Sequence, residues 1–155
     1  MFINIIFDFD GTLVDGSSNI SGGAVVYPGI LELLGLLKAR GRRIFIATGE
    51  REAALRQILK TLGMDLFDDF CGYEFMTGGK SKRDMIEYFV SKYNLNKNDT
   101  VMIGDTLRDI INGNRAGVKT IGCGYGYDDD IAEIKKAADY YAEKPTDLKK
   151  LLMGL

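Results

Sequence analysis

Two aspartates, Asp8 and Asp10, stand one residue apart at the end of an apolar run, Phe2 to Phe7, and lead into Gly11-Thr12. Carboxylates have no place in an apolar core unless something pairs with them. At the carboxyl end of a central strand, however, they sit where open α/β sheets bind ligands. The plain reading is a strand running into an Asp-Gly turn with both acids in water. The reactive reading is a carboxylate nucleophile beside a carboxyl that gives and takes a proton. Three features further along add to it: Thr48 closing a second apolar run, Lys82 after Gly78-Gly79-Lys80-Ser81, and Gly104-Asp105-Thr-Leu-Arg-Asp109. Each is a weak signal alone. Together they suit chemistry at phosphorus, which needs positioning and compensation of charge more than covalent help. Nucleophile and phosphate are both anions, so a hard cation must bridge them. Mg²⁺, held by one or two carboxylates, fits that need.

Local conflicts point the same way. Asp105 and Asp109 lie four apart, where like charges repel, although acids at a helix start also gain from the helix dipole. Lys80, Lys82 and Arg83 crowd a helix N-terminus, where positive charge is disfavoured. A bound anion would offset that conflict, and rule-breaking of this kind gathers at functional sites; a solvated basic turn is the alternative. Thr48 also suits a helix cap, and Gly49 offers a backbone N–H to an anion at the helix start. Arg51 and Arg108 follow motif residues, with solvated surface as their plain reading. Tyr125 and Tyr127, in Gly124-Tyr-Gly-Tyr-Asp-Asp-Asp130, read as a loop or as a wall of the site. The acidic run there reads as a solvated helix start.

The elements that must position these residues follow from hydrophobic spacing. Strands are expected at Phe2–Phe7, Arg43–Thr48, Phe70–Phe75, Asp99–Gly104, Val118–Gly122 and, at an edge, Asp139–Ala142. Helices are expected from Pro28 to Gly41, after Gly49, after an N-cap at Ser81, from Asp105 to Ala116, around Ile131, and from Pro145 to Met153. Residues 13 to 27, rich in Gly, Ser and Asn, read as a loop or short hairpin. Strands alternating with helices predict a doubly wound, Rossmann-like α/β/α sandwich on a parallel sheet. The 155 residues suit one domain, 1–155. A net charge of −2 argues against a nucleic-acid surface. No apolar stretch approaches the ~20 residues of a membrane span, and no secretory signal is visible. Cys71 and Cys123 form no C-x-x-C pattern, which favours the cytoplasm and two small buried hydrophobes. With no histidine in the chain, His-based triads and metal sites are excluded.

In the order and separation of Asp8-x-Asp10-Gly-Thr12, Thr48, Lys82 and Gly104-Asp105-x-x-x-Asp109, the chain resembles the haloacid dehalogenase superfamily of phosphohydrolases. The resemblance implies a Mg²⁺-dependent phosphatase working through a phospho-aspartate, with Asp8 as nucleophile and Asp10 as acid–base. It implies Thr48, Gly49 and Lys82 as phosphate ligands. Metal ligands would be Asp8, the main-chain carbonyl of Asp10, Asp105, and Asp109 directly or through an intermediary. Lys82 is chosen over Lys80 because Ser81 suits the cap and the family's lysine commonly opens the helix. Many relatives carry a cap domain inserted after the first motif or between the second and third. Here fifteen residues separate Thr12 from Pro28 and thirty-three separate Thr48 from Lys82, too few for a cap. The open site then implies a flap at 13–27, a second subunit of a homo-oligomer, or a large substrate to exclude water. The C-terminal third is similar to phosphoglycolate phosphatases, and the substrate would be a phosphorylated small molecule or macromolecule. A receiver-like phospho-acceptor domain and a non-catalytic phosphate-binding or regulatory domain on the same fold are the alternatives. A receiver needs its acceptor Asp after the third strand, whereas Asp65, Asp68 and Asp69 precede it.

Overall fold

The computed structural model describes residues 1–16, 23–127 and 130–154. Six strands form one parallel sheet. They are β1 (Asn4–Phe7), β4 (Arg43–Ala47), β5 (Asp69–Cys71), β6 (Thr100–Gly104), β7 (Lys119–Cys123) and β8 (Tyr140–Ala142), in the order β5-β4-β1-β6-β7-β8. A small antiparallel pair of two-residue strands, β2 (Val14–Asp15) with β3 (Val25–Val26), follows the loop after β1. Residues 17 to 22 of the expected flap lie outside the described residues, as do 128 and 129 of the acidic run.

Burial on both faces explains why the central strands read as continuous apolar runs. Ile5 and Phe7 of β1 enter one core with helix α1 (Ile30–Ala39), helix α2 (Glu52–Thr61) and helix α7 (Pro145–Met153). Ile6 points the other way, into a core with Phe45, Met102 and helix α4 (Lys82–Lys92), whose Met85, Ile86 and Phe89 are fully buried. Helix α5 (Leu107–Ala116) packs beside α4, and α6 (Ile131–Ala137) lies between β7 and β8 in sequence. Helices therefore cover both faces of the sheet, the doubly wound sandwich that the alternation of elements predicts. No inserted domain stands between the strands among the described residues.

Local expectations fail in three places. The strand expected over Phe70–Phe75 stops at Cys71, and Tyr73–Met76 forms the short helix α3. Gly72 lies against the chain at Glu50 and Glu52, and the Tyr73 N–H donates to the Glu50 carbonyl at 2.8 Å, so the backbone turns off the sheet edge there. Pro28 does not open α1. Gly29, at φ +84°, makes a left-handed turn and the helix starts at Ile30. Thr48 does not cap α2, which begins at Glu52 with Arg51 at the cap position.

Candidate active site

The chain adds strands to one side of β1 (β4, then β5) before crossing to the other side (β6, β7, β8), so strand order reverses between β1 and β6. Open α/β sheets bind ligands outside the carboxyl ends of strands at such a reversal. Asp8 follows β1 there, its N–H donating to the Ile103 carbonyl at 2.8 Å. Asp105 follows β6 directly. Thr106 caps α5 by a capping box: Asp109 N–H donates to Thr106 Oγ1 at 3.2 Å, and the Thr106 N–H donates back to Asp109 Oδ2 at 3.2 Å. That box fixes the Asp109 carboxylate at the top of the sheet.

Asp8, Asp105 and Asp109 are all buried, and one carboxylate oxygen from each lies within 4.8 Å of the others. Lys82, the first residue of α4, reaches into this group. Its Nζ donates to Asp8 Oδ1 at 2.7 Å and to Asp109 Oδ1 at 2.6 Å. Ser81 and Asp84 form the capping box that starts α4 beside it, and the Arg83 N–H donates to the Asn112 side chain of α5 at 3.2 Å. The N-terminal ends of α4 and α5 are thus tied together around the lysine.

Three acids and one ammonium in a buried space leave an excess of negative charge. Burial pushes the Asp8 carboxyl well above the usual range; Lys82 pulls it down, while Asp109 and Asp105 push it further up. Burial also raises Asp105, against hydrogen bonds from the Tyr127 N–H and contact with the Asp8 side chain. Burial alone would lower Lys82, but Asp8 and Asp109 overrule it and hold its ammonium more strongly than an ordinary lysine. An oxygen-only donor set with surplus negative charge suits a hard divalent cation. Backbone crowds this set closely. A Cβ at Gly11 or Gly126 would meet the Asp105 side chain, and one at Gly104 would meet Asp109.

The remaining predicted residues scatter around this cluster. Asp10 is exposed and its oxygen is not part of the acidic group. It accepts from the Tyr127 hydroxyl at 2.6 Å and from the Gly16 N–H at 3.0 Å. Thr48 is buried and its hydroxyl accepts from the Glu50 N–H at 3.1 Å. Gly49 lines a cleft that adjoins Asp8 and Lys82, as does Arg108. Lys80 also lines it, its Nζ 4.8 Å over the Phe75 ring, so of the two lysines it is Lys82 that touches the acids. Arg51 lies over the Tyr73 ring at 5.1 Å. Neither tyrosine of the 124–127 loop lines the cleft. Tyr125 donates to the Thr12 carbonyl at 2.8 Å and packs edge-on against Tyr27, while Tyr127 ties Asp10 through its hydroxyl and Asp105 through its N–H at 3.0 Å. Sequence reasoning missed Asn112 altogether. Its one signal is a position three residues beyond Asp109, hence on the same helix face.

Residues 21–123 match the family described as haloacid dehalogenase-like hydrolase. That segment takes in Thr48, Lys82, Asp105 and Asp109. A phosphoglycolate phosphatase of Rhodospirillum rubrum is 33% identical over 106 residues, which cover 68% of this chain and 44% of that protein. A 5'-nucleotidase of Pseudomonas aeruginosa is 32% identical over 103 residues, covering 66% and 47%. The chain therefore spans about half the length of these curated relatives. Among solved structures, a haloacid dehalogenase-like hydrolase of Streptococcus pneumoniae superposes with a TM-score of 0.83 at 20% identity, covering 97% of this chain and 98% of that one. A predicted phosphatase from Clostridium acetobutylicum gives 0.87 at 23%, over the full length of both. These structures share the fold. With the family match extending over more than half of its residues, the chain belongs to the haloacid dehalogenase-like hydrolases.

Proposed function

We propose that the chain is a phosphatase that hydrolyses phosphate monoesters through a phospho-aspartate on Asp8, working as one domain with no cap over the site. The observation that carries this reading is the Lys82 ammonium, 2.7 Å from Asp8 and 2.6 Å from Asp109. A cation so placed steadies the nucleophile and leaves one N–H for a phosphoryl oxygen. An Asp8 oxygen bonds to phosphorus as the ester P–O bond breaks, and Asp10 gives its proton to the departing alkoxide. Water then attacks the phosphorus, Asp10 takes its proton, and the bond to Asp8 breaks to release inorganic phosphate. Thr48 and the Gly49 N–H hold phosphoryl oxygens. Mg²⁺ held by Asp8, Asp105 and the Asp10 carbonyl would compensate the charge that gathers on those oxygens. Asp109, with one oxygen on Lys82 and the other on Thr106, serves by fixing the lysine.

The substrate is a phosphorylated compound. The relatives named for phosphoglycolate and for 5'-nucleotides support a small molecule. A reducing, cytoplasmic setting suits Cys71 and Cys123, which are buried and unbridged, with thiols pushed up to about 12 by burial. No helix among the described residues is long and apolar enough to cross a membrane. A receiver-type reading loses support from β5. Asp68 and Asp69 sit at its N-terminal side, bonded to Lys38 and to Lys92 and Tyr93. The test is Mg²⁺-dependent release of phosphate from p-nitrophenyl phosphate, lost on chelation and in Asp8→Asn. An Asp8→Asn protein as active as the parent would remove Asp8 as nucleophile.

A further inference from the structure

Helix α4 begins at Lys82, and the first backbone N–H groups of any helix lack partners within it. Ser81 and Asp84 answer each other in the capping box. The Arg83 N–H is answered from another helix, donating to Asn112 Oδ1 of α5 at 3.2 Å. The same side chain donates through Nδ2 to the Arg108 carbonyl, one turn back on α5, at 2.8 Å. One neighbour can only donate and the other can only accept, so together they fix which way round the Asn112 amide lies. Aspartate in its place would lack the donor, and leucine would lack both groups.

Asn112 is 8% exposed. Its partner Arg83 directly follows Lys82, and Asn112 itself lies three residues beyond Asp109, on the same face of α5. The start of α4 is therefore held to α5 at two points. Lys82 Nζ donates to Asp109 Oδ1 at 2.6 Å, and the N–H of the next residue donates to Asn112. The first contact fixes the tip of the lysine and the second fixes its root. A lysine carries its charge on a long flexible stem, so the place of its backbone decides which groups the ammonium can reach. Both bonds of Asn112 run to backbone, so its effect on the site passes through the place of α4.

We infer that Asn112 is a positioning residue for Lys82: it holds the first turn of α4 where one ammonium reaches Asp8 and Asp109 together. The inference rests on the phosphatase reading for what Lys82 does to a phosphoryl group, but not for where Lys82 stands. The competing account is a polar contact that joins two helices and does nothing for the lysine.

Two substitutions separate these accounts. Asn112→Leu deletes both bonds, whereas Asn112→Asp keeps an acceptor for the Arg83 N–H, at a helix start that favours its charge. Thermal melts in EDTA of the parent, Lys82→Met, each Asn112 variant and the two double variants form a pair of double-mutant cycles. Lys82→Met is expected to lower Tm in the Asn112→Leu background by less than half of its effect in the parent, because the lysine pairs are already loosened there. In the Asn112→Asp background its effect stays at least as large as in the parent. Equal falls in the parent and Asn112→Leu backgrounds overturn the inference, and so does a halved fall in Asn112→Asp. Should Asn112→Leu fail to fold, Asn112→Ala takes its place in the cycle. Displacing a catalytic group by about 1 Å costs up to about 10²-fold in rate. With p-nitrophenyl phosphate, kcat should therefore fall at least tenfold in Asn112→Leu and less than threefold in Asn112→Asp; the same loss in both overturns the inference. A parent that released no phosphate would strike at the phosphatase reading, and the melting cycles would still decide what holds the lysine.

Discussion

Replacing Lys82 with methionine keeps the reach of the side chain and removes the charge that stands between Asp8 and Asp109. The lysine side chain is 12% exposed and those of the two acids 10% and 1%, so water screens the pairs only weakly. Removing one partner of a buried pair costs about 3–5 kcal/mol, because it strands the other charge. Methionine fills the channel and Asp8 retains a little solvent contact, which favours the lower figure, about 3 kcal/mol. In a chain of this size each kcal/mol moves the midpoint by about 2–4 °C, so Tm in EDTA should fall by about 6–12 °C. The pH dependence has a definite sign. A carboxyl whose folded pKa lies above its unfolded value favours folding when protonated, and that stability is lost as pH rises through the folded pKa. Asp8 and Asp105 are already raised by burial. Taking away the ammonium raises Asp8 further, so the deficit is greatest near pH 8 and narrows towards pH 5. Thermal unfolding followed by circular dichroism at pH 5, 6.5 and 8 reads this directly. An unchanged Tm, or a drop of equal size at pH 5 and pH 8, would refute the electrostatic account of the cluster.

Three further outcomes are expected. Tyr127→Phe deletes the hydroxyl that holds Asp10 at 2.6 Å; a lost hydrogen bond of about 1 kcal/mol corresponds to a roughly fivefold fall in kcat. KM for p-nitrophenyl phosphate should stay within about twofold, and a change confined to KM would contradict a role in orienting Asp10. Asp69→Asn should cost about 1–2 kcal/mol at pH 7, measured by urea unfolding. Burial tends to raise that carboxyl, but bonds from Lys92, Tyr93 and the Phe70 N–H outweigh it and hold it below the usual range. Its stability is therefore present above the unfolded pKa and lost as pH falls through the folded one, so parent and variant should converge below about pH 4. Gly126→Ala places a Cβ on Asp105 and the Gly11 carbonyl; overpacking of this kind costs about 1–3 kcal/mol. Calorimetry should show Mg²⁺ affinity reduced roughly tenfold, and unaltered affinity would mean that this packing does not set the Asp105 position.

The layered architecture was legible because Ile5–Phe7, Ile44–Ala47 and Val101–Ile103 are buried on both faces of the sheet and therefore apolar. Lys82 was legible through a conflict, a positive residue at a helix start, which the structure explains with two carboxylates. The end of β5 was not legible, because it depends on the close approach of Gly72 to Glu50 and Glu52, some twenty residues away in the chain. Asn112 reads as one more polar helix residue until α4 is packed against it. The tie between Tyr127 and Asp10 spans 117 residues of sequence, and no spacing rule reaches that far.

The backbone at Gly11 and Gly126 leaves the Asp105 carboxylate no room to move. A cradle that cannot widen discriminates by ionic radius. Mg²⁺ takes six ligands at about 2.0–2.1 Å, whereas Ca²⁺ needs six to eight at about 2.3–2.6 Å. Stiffness supplied by the backbone, with no special side chain, would then make this pocket prefer the smaller ion, and an alanine at either position would blunt that preference.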